Sequence, residues 1–275
     1  MKTIIIPTDF SPAATSAMNY AVDMAKEIGA SVLLLHVYNV PIGAGDVPVL
    51  VVSTESIAND AESRVASLKE KIEHITSGDV KVYTETRLGD VVEELETLCS
   101  KIKPFAVVMG SHGATGLERI VFGSTTLSVV KHLTSPVIVV PTGTEYGTGI
   151  RKIGFACDFR DVVETCPAKE INNFVTTFNG ELHVLNVDSS KQHLKPDTEQ
   201  TAFLETMLAE VKPVYHFIEH DDIEDGINSF AETNNLDLVI IIPKKHKRLQ
   251  ELFNPGSTKQ MVRHSHIPLM CIHEY

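Results

Sequence analysis

A chain that carries one pattern twice is built from two copies of one folding unit, and this 275-residue sequence repeats itself at close to half its length. Lys2-Thr3-Ile4-Ile5-Ile6-Pro7-Thr8-Asp9-Phe10 recurs as Arg151-Lys152-Ile153-Gly154-Phe155-Ala156-Cys157-Asp158-Phe159. Ser31–Val37 recurs as Glu181–Val187, Pro104–Met109 as Asp237–Ile242, and Pro136–Val140 as Pro268–Ile272. Four matches in the same order make chance a poor explanation. The Gly/Thr-rich stretch Thr142–Gly149 has no apolar periodicity and reads as a linker. The expected division is a domain at 1–142, a linker at 143–150 and a second domain at 151–275.

Each copy alternates short apolar runs with helical patterns. In the first copy Ile4–Ile6, Val32–Val37, Ala106–Met109 and Val137–Val140 have the length and β-branched content of buried strands, with Val80–Thr84 a weaker, alternating candidate. Ala14, Ala17, Ala21, Met24, Ala25 and Ile28 form one helix face, opened by Ser11-Pro12 and closed by Gly29. Further helices are expected near Glu55–Ile75, Val91–Ile102 and Thr125–Leu133. The second copy places strands near Ile153, Leu182–Val187, Val214–Phe217, Leu238–Ile242 and Leu269–Ile272. Strand–helix alternation implies α/β architecture: two tandem, open, doubly wound, parallel five-stranded sheets with helices on both faces.

Charge and cysteine usage narrow the function. With 24 Lys+Arg against 36 Asp+Glu, the net charge of −12 argues against a sequence-blind nucleic-acid or anionic-membrane binder. No apolar run approaches the ~18 residues of a membrane span, and Pro7 and Asp9 cut short the apolar start. The four cysteines form no CxxC pair, so reduced thiols in a cytoplasmic protein are the economical expectation.

In open parallel sheets, ligands sit beyond the carboxyl ends of the strands, where strand order reverses. The loops there are Pro7-Thr8-Asp9, the residues after Val37, and Gly110-Ser111-His112-Gly113-Ala114-Thr115-Gly116, followed by Gly123-Ser124-Thr125-Thr126. This is neither a Walker loop nor a dinucleotide fingerprint. Glycines nonetheless permit positive φ and close backbone approach, and a helix opening at Gly123-Ser124 offers N–H groups and a positive dipole end to a phosphate. Asp9 can accept from ribose hydroxyls. A glycine-rich turn with a serine cap, serving the fold alone, explains the same residues equally well.

The spacing Gly110-x2-Gly113-x9-Gly123-Ser124, with Pro7-Thr8-Asp9 at the first strand and Val37 ending the second, resembles the universal stress protein family, and more narrowly its ATP-binding branch in tandem form. The resemblance covers both copies. It implies an adenine-nucleotide alpha-hydrolase-like fold and a nucleotide site in the first copy. There Pro7, Thr8 and Asp9 contact adenosine, Val37 contacts adenine, and Met109 and Gly110 flank the ribose. His112, Gly113, Gly123, Ser124 and Thr125 surround the phosphates, with Thr126 beside them. The implied cofactor is ATP, with Mg²⁺ riding on its phosphates rather than in a protein metal site. Single-domain relatives pair through their last strands, so Val137–Val140 and Leu269–Ile272 are expected to form an intramolecular pseudo-dimer. A homodimer of the tandem chain stays compatible with that arrangement.

No catalytic residue is assigned. His112 suits hydrogen bonding to phosphate better than general-base work, Arg119 has the default of an exposed helix arginine, and no Walker lysine or paired carboxylate is present. In the second copy Pro243 and His246 replace two of the three motif glycines, and Cys157 replaces Thr8, so this copy reads as degenerate for ATP. Its basic run Lys244-Lys245-His246-Lys247-Arg248 is a solvated loop by default and an anion or acidic-partner site by the sharper alternative. Cys157 is an inert thiol by default. The apolar insertion Pro41–Val52 is expected to cover the sheet edge, with a lid or partner patch as alternatives. The function expected is that of an ATP-binding stress-response regulator whose nucleotide state modulates unknown protein partners. A slow ATPase or phosphotransferase and a nucleotide-independent scaffold are the competitors.

Overall fold

The computed structural model describes residues 1–40, 54–111, 123–188, 198–243 and 267–274. The insertion Pro41–Val52 lies outside the described residues. The first copy runs β1 (Thr3–Pro7), α1 (Pro12–Ile28), β2 (Ser31–Tyr38), α2 (Thr54–Ile75), β3 (Val82–Leu88), α3 (Val91–Ile102), β4 (Ala106–Gly110), α4 (Ser124–His132) and β5 (Val137–Val140). The second runs β6 (Lys152–Ala156), α5 (Val162–Thr165), α6 (Ala168–Phe178), β7 (Glu181–Asp188), α7 (Thr198–Met207), β8 (Val214–Glu219), α8 (Ile223–Thr233), β9 (Leu238–Ile241) and β10 (Leu269–Cys271).

Local chemistry accounts for the element boundaries. Ser11 Oγ accepts from the Ala14 N–H at 3.1 Å, Pro12 opens α1, and Gly29 closes it at φ 62°, a left-handed cap that glycine adopts without strain. Asp90 caps α3 by accepting from Val92 and Glu93 N–H, and Asp222 caps α8 in the same way through Glu224 and Asp225. β3 starts two residues later than its apolar pattern suggests; it is an edge strand whose polar residues Glu85 and Arg87 stand in the ladder.

All strands join one ten-stranded sheet in the order β3-β2-β1-β4-β5-β10-β9-β6-β7-β8. Within each copy the pairing is parallel, and the copies meet where β5 and β10 run antiparallel, with Val139 opposite Leu269 and Ile138 opposite Met270. The two expected five-stranded sheets are therefore present, fused through their last strands. Alternate side chains feed two core layers, one on each face. Ile4, Ile6, Ile138, Phe155 and Met270 belong to the first, and Ile5, Val107, Val139 and Leu269 to the second. Both layers continue across the seam.

Side chains reinforce that seam. Phe105 stacks on Phe174 at 5.7 Å, and Lys2 donates to Thr177 Oγ1 at 2.7 Å while lying over the Phe105 ring. A ring nitrogen of His273 donates to the Val130 carbonyl at 2.7 Å. In the stretch between the copies, Ile150 is buried and Tyr146 donates to Glu27, which also receives Arg151. Burial and the neighbouring carboxylate push the Tyr146 phenol above its ordinary range. An apolar period could not reveal this anchoring, because two side chains rather than a repeating face provide it.

The second copy breaks the first helix of the unit in two. Pro167 interrupts it; it removes a helical N–H and forces Cys166 into extended backbone at ψ 115°. Residues 162–178 thus form α5 and α6 instead of one helix like α1. A second divergence lies on the sheet itself. His183 takes the place that Leu33 holds in the first copy, and its Nδ1 lies 2.9 Å from His216 Nε2, with Phe230 against the His216 ring.

Two outcomes are expected. Ile138→Ala, at a fully buried seam position, should lower stability by ~2–5 kcal/mol in urea denaturation without changing the slope. The histidine pair should make stability fall with acid. Burial holds both imidazoles below their ordinary value of about 6.5; the charge of Lys152 lowers His183 further and that of His183 lowers His216, while Glu181 opposes both. The fold therefore favours the neutral rings. Stability is complete above about pH 6.5 and declines below it, as the unfolded chain takes up protons that the folded pair refuses. His183→Leu should flatten the decline between pH 7 and 5 in thermal melts.

Candidate functional site

In the first copy the strand order reverses between β1 and β4, which pair at Ile4↔Ala106 and Ile5↔Val107. Their carboxyl ends place Pro7–Asp9 beside Gly110, with Val37 on the other side of β1 at the end of β2. The Gly123 N–H donates to the Ser111 carbonyl at 2.9 Å, and the Ser111 N–H donates to Val140 at 3.1 Å, so the start of α4 is tied to the end of β4. Pro7, Thr8, Asp9, Val37, Met109, Gly110, Gly123, Ser124, Thr125 and Thr126 are thus gathered along one edge. His112 and Gly113, with Arg119, lie outside the described residues.

The chain leaves β1 through a tight turn. The Thr8 N–H donates to Leu35 at 2.8 Å, Thr8 Oγ1 accepts from Phe10 N–H at 3.1 Å, and Asp9 Oδ1 accepts from Ser11 N–H at 3.0 Å. Between them Phe10 sits at φ 64°, a left-handed conformation that a bulky side chain rarely takes. The turn leaves Asp9 exposed at the edge while Thr8 is buried.

Gly110 has a structural reason of its own. Its φ is not positive; a Cβ there would lie 2.7 Å from the Ala13 carbonyl oxygen, so the glycine lets the first turn of α1 press against β4. Gly123 is likewise extended, at φ −58° and ψ 151°. At these two positions the expected freedom of positive φ is unused. Thr126 is buried and gives its hydroxyl proton to the Gly110 carbonyl at 3.0 Å, a bond that pins α4 to β4. The Met109 side chain belongs to the core layer that holds Val129 and Val130. Ser124 and Thr125 are exposed at the head of α4, whose N-terminus has no side-chain cap. An uncapped, hydroxyl-bearing helix start suits an anion. Among the described residues no group of three or more His, Cys, Asp or Glu could hold a metal ion.

Sequence reasoning passed over His36. It lies inside an apolar run and was counted with the strand, yet a ring nitrogen meets the Thr8 carbonyl at 2.7 Å and the ring packs 4.6 Å from Phe10. Arg64 from α2 covers the Phe10 ring at 3.8 Å. The repeat held the clue, because Asn186 is the polar residue at the same place in the second buried run.

The second copy keeps the turn and loses its surroundings. Cys157 N–H donates to Leu185 at 2.9 Å, Cys157 Sγ accepts from Phe159 N–H at 3.4 Å, Asp158 Oδ1 accepts from Arg160 N–H at 3.2 Å, and Phe159 repeats the positive φ. Pro243 is buried at the position of Gly110. At the start of α5 Val162 is buried, while Val163 is exposed. Lys244–Arg248 and Gly256-Ser257-Thr258 lie outside the described residues. A separate groove of about 860 Å³ opens at the amino ends of the first copy's strands, lined by Lys2, Thr3, Cys99, Phe105, Ser135 and Asn173, away from the motif.

Comparison with known proteins agrees with the repeat. The Universal stress protein family pattern matches residues 1–141 and again 151–273. Universal stress protein MJ0531 of Methanocaldococcus jannaschii is 33% identical over 141 residues, covering 50% of this chain and 81% of that protein. Universal stress protein MJ0577 of the same organism is 27% identical over 155 residues, covering 50% of this chain and 94% of the other. The crystal structure of a universal stress protein from Archaeoglobus fulgidus superposes with a TM-score of 0.72 at 20% identity, over 99% of this chain and 96% of that one.

Gly110→Ala tests the structural part of the site. It should destabilise the protein by ~1–3 kcal/mol through the clash with Ala13, measured by chemical denaturation with no nucleotide present. Unchanged stability would return Gly110 to a purely ligand-facing role.

Proposed function

The chain belongs to the universal stress protein family, and from that membership we propose that its first copy binds ATP as a regulatory signal while its second copy does not. The observation that supports this most is the junction at the β1–β4 switch point. The exposed Asp9 turn stands beside the head of α4, where Gly123, Ser124 and Thr125 form a helix start without a side-chain cap. In this proposal Asp9 accepts from the ribose hydroxyls and Val37 lies against adenine. The α4 head and its two hydroxyls hold the phosphates, completed by His112 and Gly113. Backbone N–H groups and a helix dipole recognise an anion locally, so a net charge of −12 is no obstacle. Mg²⁺ would accompany the phosphates and neutralise them.

The proposed units are 1–142, which carries the site, and 151–275, whose departures from the motif, Pro243 and Cys157 among them, support reading it as inactive toward ATP. A regulator needs a bound state that differs from the free one more than it needs turnover, and the described residues supply binding groups rather than a hydrolytic set. The work assigned to the protein is the reporting of nucleotide level to a partner, in the cytoplasm.

Titration calorimetry of the full chain with MgATP tests this. One nucleotide per chain is expected, and Gly113→Val should abolish it by blocking the phosphate loop. Absence of binding up to about 1 mM ATP, an affinity near −4 kcal/mol, would leave the scaffold alternative standing. Two equivalent sites would overturn the assignment of the second copy as inactive.

A further inference from the structure

We infer that His36 is a positioning residue, whose ring proton holds the Thr8 carbonyl and thereby sets the turn that presents Asp9. The inference rests on the nucleotide reading above for its consequence, and on the two copies of the turn for its evidence.

A carbonyl oxygen only accepts, so the 2.7 Å contact requires the proton on His36 Nδ1 and fixes the ring's tautomer. The turn it holds carries backbone strain: Phe10 sits at φ 64°, and such conformations persist only where the surroundings over-determine them. Two of the restraints are local, from Phe10 N–H to Thr8 Oγ1 and from Ser11 N–H to Asp9 Oδ1. The His36 bond differs in kind, because it comes from the neighbouring strand and ties the turn to the sheet. β1 and β2 pair through Pro7↔Leu35, which brings the next residue of each strand into reach.

The second copy is an internal control. Its turn repeats the strain, with Phe159 at φ 53°, and repeats both local bonds through Cys157 Sγ and Asp158 Oδ1. At the place of His36 it has Asn186, whose Nδ2 donates to the Cys157 carbonyl at 2.9 Å. Two unlike side chains perform the same donation to the same carbonyl, so the preserved feature is the hydrogen-bond donor. The ring of His36 also packs on Phe10, which the amide of Asn186 does not imitate, so the two contributions can be separated by substitution.

The test uses His36→Val, which keeps a strand-forming side chain and removes the donor, and His36→Asn, which restores the donor from the other copy. Amide hydrogen exchange at Phe10 and Ser11 reports the turn directly, and MgATP calorimetry reports the consequence. His36→Val should speed exchange at those two amides by roughly tenfold, the equivalent of one lost hydrogen bond, with far-UV circular dichroism unchanged. ATP affinity should weaken by a similar factor. His36→Asn should restore both to within about threefold of the parent. Unchanged exchange in His36→Val would overturn the inference. Failure of His36→Asn to restore it would do the same, assigning the turn to ring packing instead. If exchange behaves as expected while the parent chain binds no ATP, positioning stands and the nucleotide reading falls.

Discussion

The antiparallel pairing of β5 with β10 is the interaction on which the rest of the molecule depends. A parallel sheet must be covered on both faces, and its last strand presents a row of unpaired backbone groups. Joining the two copies at Val137–Val140 and Leu269–Cys271 satisfies those groups within one chain and lets two core layers run unbroken from one copy to the other. The remaining edges, β3 and β8, lie at the far ends of the sheet. Because the copies run antiparallel, the carboxyl ends of their strands face opposite edges of the sheet. The candidate site and its counterpart therefore lie at opposite ends of the strands.

The copies diverge at the first helix and at the end of the strand that carries Gly110. Pro167 breaks the first helix of the second copy into α5 and α6, whereas α1 is continuous. Gly110 lies against Ala13 of α1, where a Cβ would clash, and Pro243 holds the corresponding position in the second copy. The turn after the first strand, which the helix break does not reach, keeps its strained geometry in both copies.

Much of this was legible in the sequence. The apolar runs located nine of the ten strands closely, and Ser11-Pro12 and Gly29 marked the ends of α1. The β3 boundary was less legible, since an edge strand mixes Glu85 and Arg87 into its pattern. For the site, the motif picked out the residues that gather at the β1–β4 edge, but it did not reveal what each one does there. Thr126 donates to the Gly110 carbonyl and Gly110 lies against Ala13, contacts that no spacing in one dimension reveals. His36 was hidden for the opposite reason: its neighbours Leu35 and Val37 made it look like strand interior, while its hydrogen bond lies across the sheet.

By itself, the sequence determined the unit and its number. Repetition, strand-length apolar runs and helix caps are local or periodic signals, and they suffice to specify two α/β copies with a glycine motif in the first. Tertiary structure decided how the copies join and which motif residues also serve packing. Those outcomes depend on atoms far apart in the chain, such as Ala13 beside Gly110, His36 beneath Thr8 and Ile138 opposite Met270. No spacing rule encodes them; steric exclusion and hydrogen-bond satisfaction settle them only when the sheet has formed.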